Sequence, residues 1–344
     1  MNHEYFRETL ARAGTEFWIN NPTGPELQAA LQNGAVGVAS NPVYISALLK
    51  SEPDFVRAMV KDCGVGDDEV LAVQVIQKFV ARPLALFHPL FQDSQGRYGQ
   101  VAIQGNPRRN DDLAYLLTEA EKFHTLGENI IIKLPATPVG AQAMEELTAR
   151  GWSTIGTMSF SVAQYILMAE AHQRGLRRTQ KKPRCLITML PGLFDEYLVE
   201  DAKRRGVTVA PELLRQAGIS TARAAYAVRR NRGYAAQVLS GGAGMTFHWT
   251  EVRGDGMVIT LSGSLMEAVQ RECPAPASRI EASTAPETIG ELRDKFPDFV
   301  RACDPAALTP EEFRGYGPVA RFQMSFLSGF ELLIQQIRQG RTVS

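Results

Sequence analysis

Lys133 ends a short, almost wholly apolar run, Asn129-Ile130-Ile131-Ile132-Lys133-Leu134-Pro135. Three β-branched residues in a row, bounded by Gly127 and Pro135, predict a strand buried on both faces. An ammonium ending such a strand is poorly solvated unless it has a partner. The same desolvation lowers a lysine's pKa and leaves part of the amine neutral and nucleophilic. That is what Schiff-base chemistry on a carbonyl compound needs. On this segment alone a second reading stays open, in which the side chain snorkels from the strand end to the surface.

Two further segments carry polar groups at strand ends. Val36-Gly37-Val38-Ala39 runs into Ser40-Asn41-Pro42, where the Asn41 amide either bonds a substrate hydroxyl or simply makes the turn before Pro42. Gly151-Trp152-Ser153-Thr154-Ile155-Gly156-Thr157 continues through Phe160-Ser161 into Val162-Ala163-Gln164-Tyr165. Its Thr157 either points a hydroxyl at the same place or serves only strand propensity.

Positioning these groups is the task of alternating strands and amphipathic helices, the pattern of parallel βα units. Strands are predicted at 16–20, 35–40, 100–104, 130–133, 153–157, 185–189, 236–239 and 257–261. Eight of them give the (β/α)₈ TIM barrel of the α/β class, a single domain over 1–344 with extra N-terminal and C-terminal helices. Asn41, Lys133 and Thr157 fall at C-terminal strand ends, where that fold keeps its chemistry. Residues 51–84 read as helical, 177–184 as a solvated basic loop, with a polyanion site as the alternative, and 270–288 as a linker. A C-terminal helical extension is expected over about 286–340, with helices at 289–302 and 322–339. In the latter Phe326, Phe330, Leu333 and Ile337 share one face, for packing on the barrel or for covering its mouth or a partner.

Composition narrows the partners. The chain's 344 residues carry 37 basic and 37 acidic side chains, so nothing steers it to nucleic acid or an anionic membrane. No uninterrupted apolar run reaches the roughly 18 residues that suggest a membrane span, and Met1 to Arg12 has no signal-peptide core. Cys63, Cys185, Cys273 and Cys303 are widely spaced, as reduced thiols of a cytoplasmic protein would be. The histidines lack metal-ligand spacing, so neither a metal nor a cofactor is expected. A homodimer stays open.

Taken together, Ser40-Asn41-Pro42, Ile132-Lys133-Leu134-Pro135-Ala136-Thr137 and Thr157-Met158-Ser159-Phe160-Ser161 resemble, in order and spacing, the signature segments of the transaldolase family. The likeness is strong from about Trp18 to Gln164, weaker to Gly263 and absent beyond. It implies that Lys133 is the Schiff-base nucleophile, that Ser40 and Asn41 orient substrate hydroxyls, and that Thr157 holds a proton-relaying water. It places Thr188, on the sixth strand, among the substrate contacts. The expected function is transfer, cleavage or formation of a C–C bond in a sugar-like hydroxylated ketone or aldehyde, in carbohydrate metabolism of the pentose phosphate type.

The departures from the family are specific. Its strand-one aspartate is Asn20 here and its strand-three glutamate is Gln104. Each amide keeps the shape but cannot accept a proton. The glutamine also occurs in the fructose-6-phosphate aldolase branch, whose strand-six tyrosine is Leu190 here. The family's phosphate arginines are replaced by Leu193 and by the basic-free stretch Ser240-Gly241-Gly242-Ala243-Gly244, which holds a phosphate poorly. His248 and Glu251, read in an extended segment near the mouth, are either the replacements for the lost acid/base groups or part of a structural loop with a satisfied histidine. Against transfer stand an aldolase of specialised metabolism and a decayed, non-catalytic binding protein.

Overall fold

The computed structural model describes residues 2–62, 64 and 66–342; Cys63 lies outside them. Among the described residues Cys185, Cys273 and Cys303 are free thiols. Helix α1 (Tyr5–Ala13) leads into β1 (Glu16–Asn20), followed by α2 (Gly24–Gln32) and β2 (Gly37–Ala39). Three helices, α3 (Tyr44–Ser51), α4 (Pro53–Lys61) and α5 (Asp68–Asp93), separate β2 from β3 (Gln100–Ile103). Then come α6 (Leu113–His124), β4 (Ile130–Pro135), α7 (Pro138–Ala149), β5 (Thr154–Thr157), α8 (Val162–Leu176) and β6 (Cys185–Met189). Helices α9 (Pro191–Arg205) and α10 (Pro211–Arg232) precede β7 (Gln237–Ser240), and α11 (Thr246–Glu251) precedes β8 (Val258–Leu261). Four more helices follow: α12 (Gly263–Glu272), α13 (Pro286–Lys295), α14 (Pro297–Cys303) and α15 (Gly317–Thr342).

The eight strands pair in chain order and close, β8 on β1, as a parallel barrel. Every predicted strand is present, β1 and β6 with the predicted bounds and the other six with shifted ends. β4 runs two residues past Lys133, to Pro135, because Leu134 and Pro135 still pair with Gly156 and Thr157. The predicted 289–302 helix is two, since Pro297 lacks the N–H that an uninterrupted helix needs and instead starts α14. The segment 246–251 is the helix α11 rather than an extended chain.

Period-two alternation sorts the strand side chains. One set, including Trp18, Ala102, Ile131, Ile155, Leu186 and Val258, packs together inside the barrel. The intervening residues, among them Phe17, Val38, Ile103, Ile132 and Ile259, join the main core under the helices. A separate core ties α9, α13, α14 and the start of α15 together through Phe194, Leu198, Leu292, Phe296, Phe299 and Phe326. Helix α5 has the length and composition to cross a membrane, yet half of its most apolar stretch is buried, and it packs on β3 and α15.

Trp18 fills the lumen only because Gly37 has no side chain, since a Cβ there would lie 2.3 Å from the indole ring. Gly37→Ala is therefore expected to destabilise the protein by about 1–3 kcal/mol. The check is the urea midpoint, which should fall with an unchanged slope.

Candidate active site

Moving two residues along each strand from the lumen layer brings the chain to the barrel's C-terminal mouth. From Trp18, Ile131, Ile155, Leu186 and Val258 the next inward positions are Asn20, Lys133, Thr157, Thr188 and Thr260. All five border one cavity of about 530 Å³. Asn41, one step beyond β2, borders it too. The structure thus brings Asn20, Asn41, Lys133, Thr157 and Thr188 together. Thr260 was missed, although the alternation Val258-Ile259-Thr260 could have found it.

Lys133 keeps partial surface exposure only because it borders this cavity. The surrounding barrel desolvates its amine and lowers its pKa to about 8. No charged neighbour offsets this among the described residues, and the amine has no hydrogen-bond partner there. The snorkelling alternative does not describe this side chain, which borders the cavity at the barrel mouth rather than the outer surface.

The surrounding motifs work as braces. Asn41 and Asn21 hold each other: Asn21 Nδ2 donates to Asn41 Oδ1 and the Asn41 N–H to Asn21 Oδ1, both at 3.1 Å. Asn21 adopts φ +47°, a left-handed conformation that asparagine tolerates. Gln164 is fully buried and donates to the carbonyls of Ala136 and Met158, at 3.0 and 3.1 Å. Its Oε1 accepts from the Phe160 N–H at 3.0 Å. That one amide fixes the ends of β4 and β5 relative to each other, and with them Lys133 and Thr157.

Four candidates lie elsewhere. Ser40 points outward and donates to the Ala102 carbonyl at 2.6 Å. Gln104 borders a separate small void with Ser40, Tyr44, Phe79 and Leu333, its buried Oε1 without a partner. His248 is buried, its Nε2 lying 2.9 Å from Asp195 Oδ2 while its Nδ1 accepts from the Gly244 N–H at 3.1 Å. Both nitrogens are occupied, which makes this histidine a pin for the loop after β7 rather than a substrate contact. Glu251 pairs with Arg223 at 2.8 Å and Arg279 at 2.9 Å, away from the cavity. The extended-chain expectation for these two failed because α11 turns to bury Trp249 against Phe6 and Phe17. Another perturbed carboxyl, Glu119, is pushed up to about 7 by burial, but it accepts from the Asn106 N–H behind the β3 loop.

The outer wall joins residues already singled out with others that were not. Val43, Leu190, Leu193, Phe322 and Phe326 line it, with Glu196 and Arg321 at the rim. Helix α15 therefore does both things considered for it: Phe330, Leu333 and Ile337 join the barrel core, while Phe322 and Phe326 face the cavity.

A closed (β/α)₈ barrel with one desolvated lysine on β4 facing its mouth defines a class of fold and site. Within that class, residues 17–297 match the Transaldolase/Fructose-6-phosphate aldolase family, and the chain belongs to it. Among curated relatives, the transaldolase of Arthrobacter sp. (strain FB24) is 27% identical over 236 residues, 64% of each chain. That of Thermobifida fusca (strain YX) is 28% identical over 236 residues, again 64% of each. That of Thiobacillus denitrificans is 29% identical over 180 residues, 48% of this chain and 49% of the relative. The chain thus spans less than two thirds of the length of these relatives.

Proposed function

We propose that the protein is a divergent transaldolase-type enzyme in which the Lys133 amine forms a Schiff base with a hydroxylated ketone. The observation that carries this is the desolvated, unpartnered amine at the cavity floor. With a pKa of about 8, roughly one amine in ten is neutral at pH 7, against about one in 2,500 for an ordinary lysine. Attack on the carbonyl gives a carbinolamine, and loss of water gives the imine. The protonated imine then accepts the electron pair of the breaking C–C bond as an enamine, while the β-hydroxyl loses its proton and departs as the carbonyl of a released aldehyde. The enamine can add to an acceptor aldehyde or be protonated and hydrolysed. Asn20, Asn41, Thr157, Thr188 and Thr260 supply neutral donors and acceptors for hydroxyls along the substrate.

Borohydride reduction in the presence of a panel of ketoses and aldehydes tests this reading. Mass should be added at Lys133, and an adduct at another lysine, or at none, would overturn it. A second reading has its own support: the family's two carboxylates are amides here, as in a site that binds but no longer turns over. An adduct at Lys133 without catalytic turnover would favour it.

Fructose 6-phosphate and sedoheptulose 7-phosphate are expected to be poor substrates, because Leu193, Gly241 and Gly242 border the cavity where the resemblance places a guanidinium pair. Their kcat/KM should fall at least 100-fold below the ~10⁵ M⁻¹s⁻¹ of an ordinary enzyme. Steady-state kinetics with both sugars decides it.

A further inference from the structure

Among the described residues, the charged groups that border the cavity are the Lys133 amine at its floor and, at an otherwise largely apolar outer wall, the rim side chains Glu196 and Arg321. Arg321 of α15 gives Nε and Nη2 to the Glu200 carboxylate at 2.8 and 2.6 Å, a bidentate pair. It reaches Glu196 only at 3.6 Å. Glu200 does not border the cavity, and Arg321 holds its carboxyl below the usual range. One guanidinium is thus shared between two carboxylates, Glu200 and Glu196, and this side of the mouth keeps a net negative charge. Lys203 and Arg215 lie along a neighbouring groove that Glu196 also borders, not along this cavity. A second feature marks the cavity as a place for a ligand: Thr188 borders it, is 3% exposed, and its buried hydroxyl has no partner among the described residues.

We propose that this mouth accepts a cation, and that the substrate is a non-phosphorylated hydroxylated carbonyl compound bearing an amine at the end remote from its carbonyl. The assignment rests on the reading of the Lys133 cavity as the substrate site. With its carbonyl at Lys133 and its hydroxyls among Asn20, Asn41, Thr157 and Thr188, such a molecule presents its far end to Glu196. An ammonium there is attracted by the carboxylate, and a phosphate is repelled. Glu196 is 56% exposed, so solvent screening keeps the preference modest, about three- to tenfold in affinity.

The test uses three polyols that have no carbonyl and so cannot react with Lys133: glucitol, 1-amino-1-deoxyglucitol and glucitol 6-phosphate. Each is titrated calorimetrically into the full chain and into Glu196→Gln, at low salt and at about 0.5 M salt. The amino polyol should bind about three- to tenfold tighter than glucitol, and the phosphate weaker. The amine's advantage should vanish in Glu196→Gln, whose unchanged melting temperature reports an intact fold, and shrink in high salt. Tighter binding of glucitol 6-phosphate would make Arg321 an anion anchor and overturn the proposal. So would equal binding of amine and glucitol, an advantage that survives Glu196→Gln, or no binding of any of the three. Borohydride trapping at Lys133 reports on the Schiff-base reading separately, so either idea can fail alone.

Discussion

Replacing Lys133 with methionine is expected to abolish the trappable adduct and all carbonyl chemistry while making the protein more stable at neutral pH. Methionine has nearly the same length but needs no solvation, so it removes the nucleophile without opening a void. The stability change follows from the lowered pKa. Folding moves the amine from an ordinary value near 10.4 to about 8, so below pH 8 the folded state carries a desolvated charge that the unfolded chain hydrates freely. Between about pH 8 and 10.4 the unfolded chain binds more protons than the folded one, so wild-type stability rises with pH across that window. Below it the penalty is complete, about 3 kcal/mol. Urea denaturation of both proteins should show the variant ahead at pH 7 and the gap closing by about pH 10. A gap that does not change with pH would mean the amine is solvated after all.

Asn20→Asp is expected to raise turnover about 100-fold on whichever substrate traps at Lys133, whereas Gln104→Glu alone should change it little. Asn20 borders the cavity, and its side-chain amide makes no hydrogen bond among the described residues. A carboxylate there could shuttle protons during carbinolamine dehydration and C–C cleavage, which an amide cannot do. Gln104 stands one residue beyond the Ile103–Ile132 pairing, level with Lys133, but it borders the separate void behind Ser40. The new aspartate would also favour the charged lysine and move the rate optimum to higher pH. Steady-state rates across pH for both variants check this. A gain from Gln104→Glu alone, or from neither change, would show that proton transfer does not pass through Asn20.

The sequence made the barrel legible because each strand is a short β-branched run between Gly, Pro or Asn breakers, as in Asn129-Ile130-Ile131-Ile132. Strand-end position and the motif resemblance singled out Lys133 and Thr157, and both border the cavity. The resemblance also singled out Gln104, which borders a separate void, because which void an inward side chain borders depends on its neighbours from other elements. The extended reading of Thr246 to Glu251 failed for a related reason. Thr246 to Glu251 is rich in aromatic and β-branched residues, and only the pull of Trp249 toward Phe6 and Phe17, more than 200 residues upstream, makes it helical. Glu196 and Arg321 carried no local signal. Their meeting depends on α9 and α15 packing side by side at the barrel mouth.

The two cores of this molecule divide the candidate site between them. Asn20, Lys133 and Thr157 stand on barrel strands held by the lumen layer and the main core. Phe326 and Leu190, by contrast, belong to the second core, with Leu193 and Phe322 packed against it and Glu196 on the same helix α9. Substitutions in clusters that share few contacts act nearly independently. Natural variation at the entrance can therefore explore new occupants while the reactive floor stays intact, and a lineage can keep one reaction while moving from one set of metabolites to another.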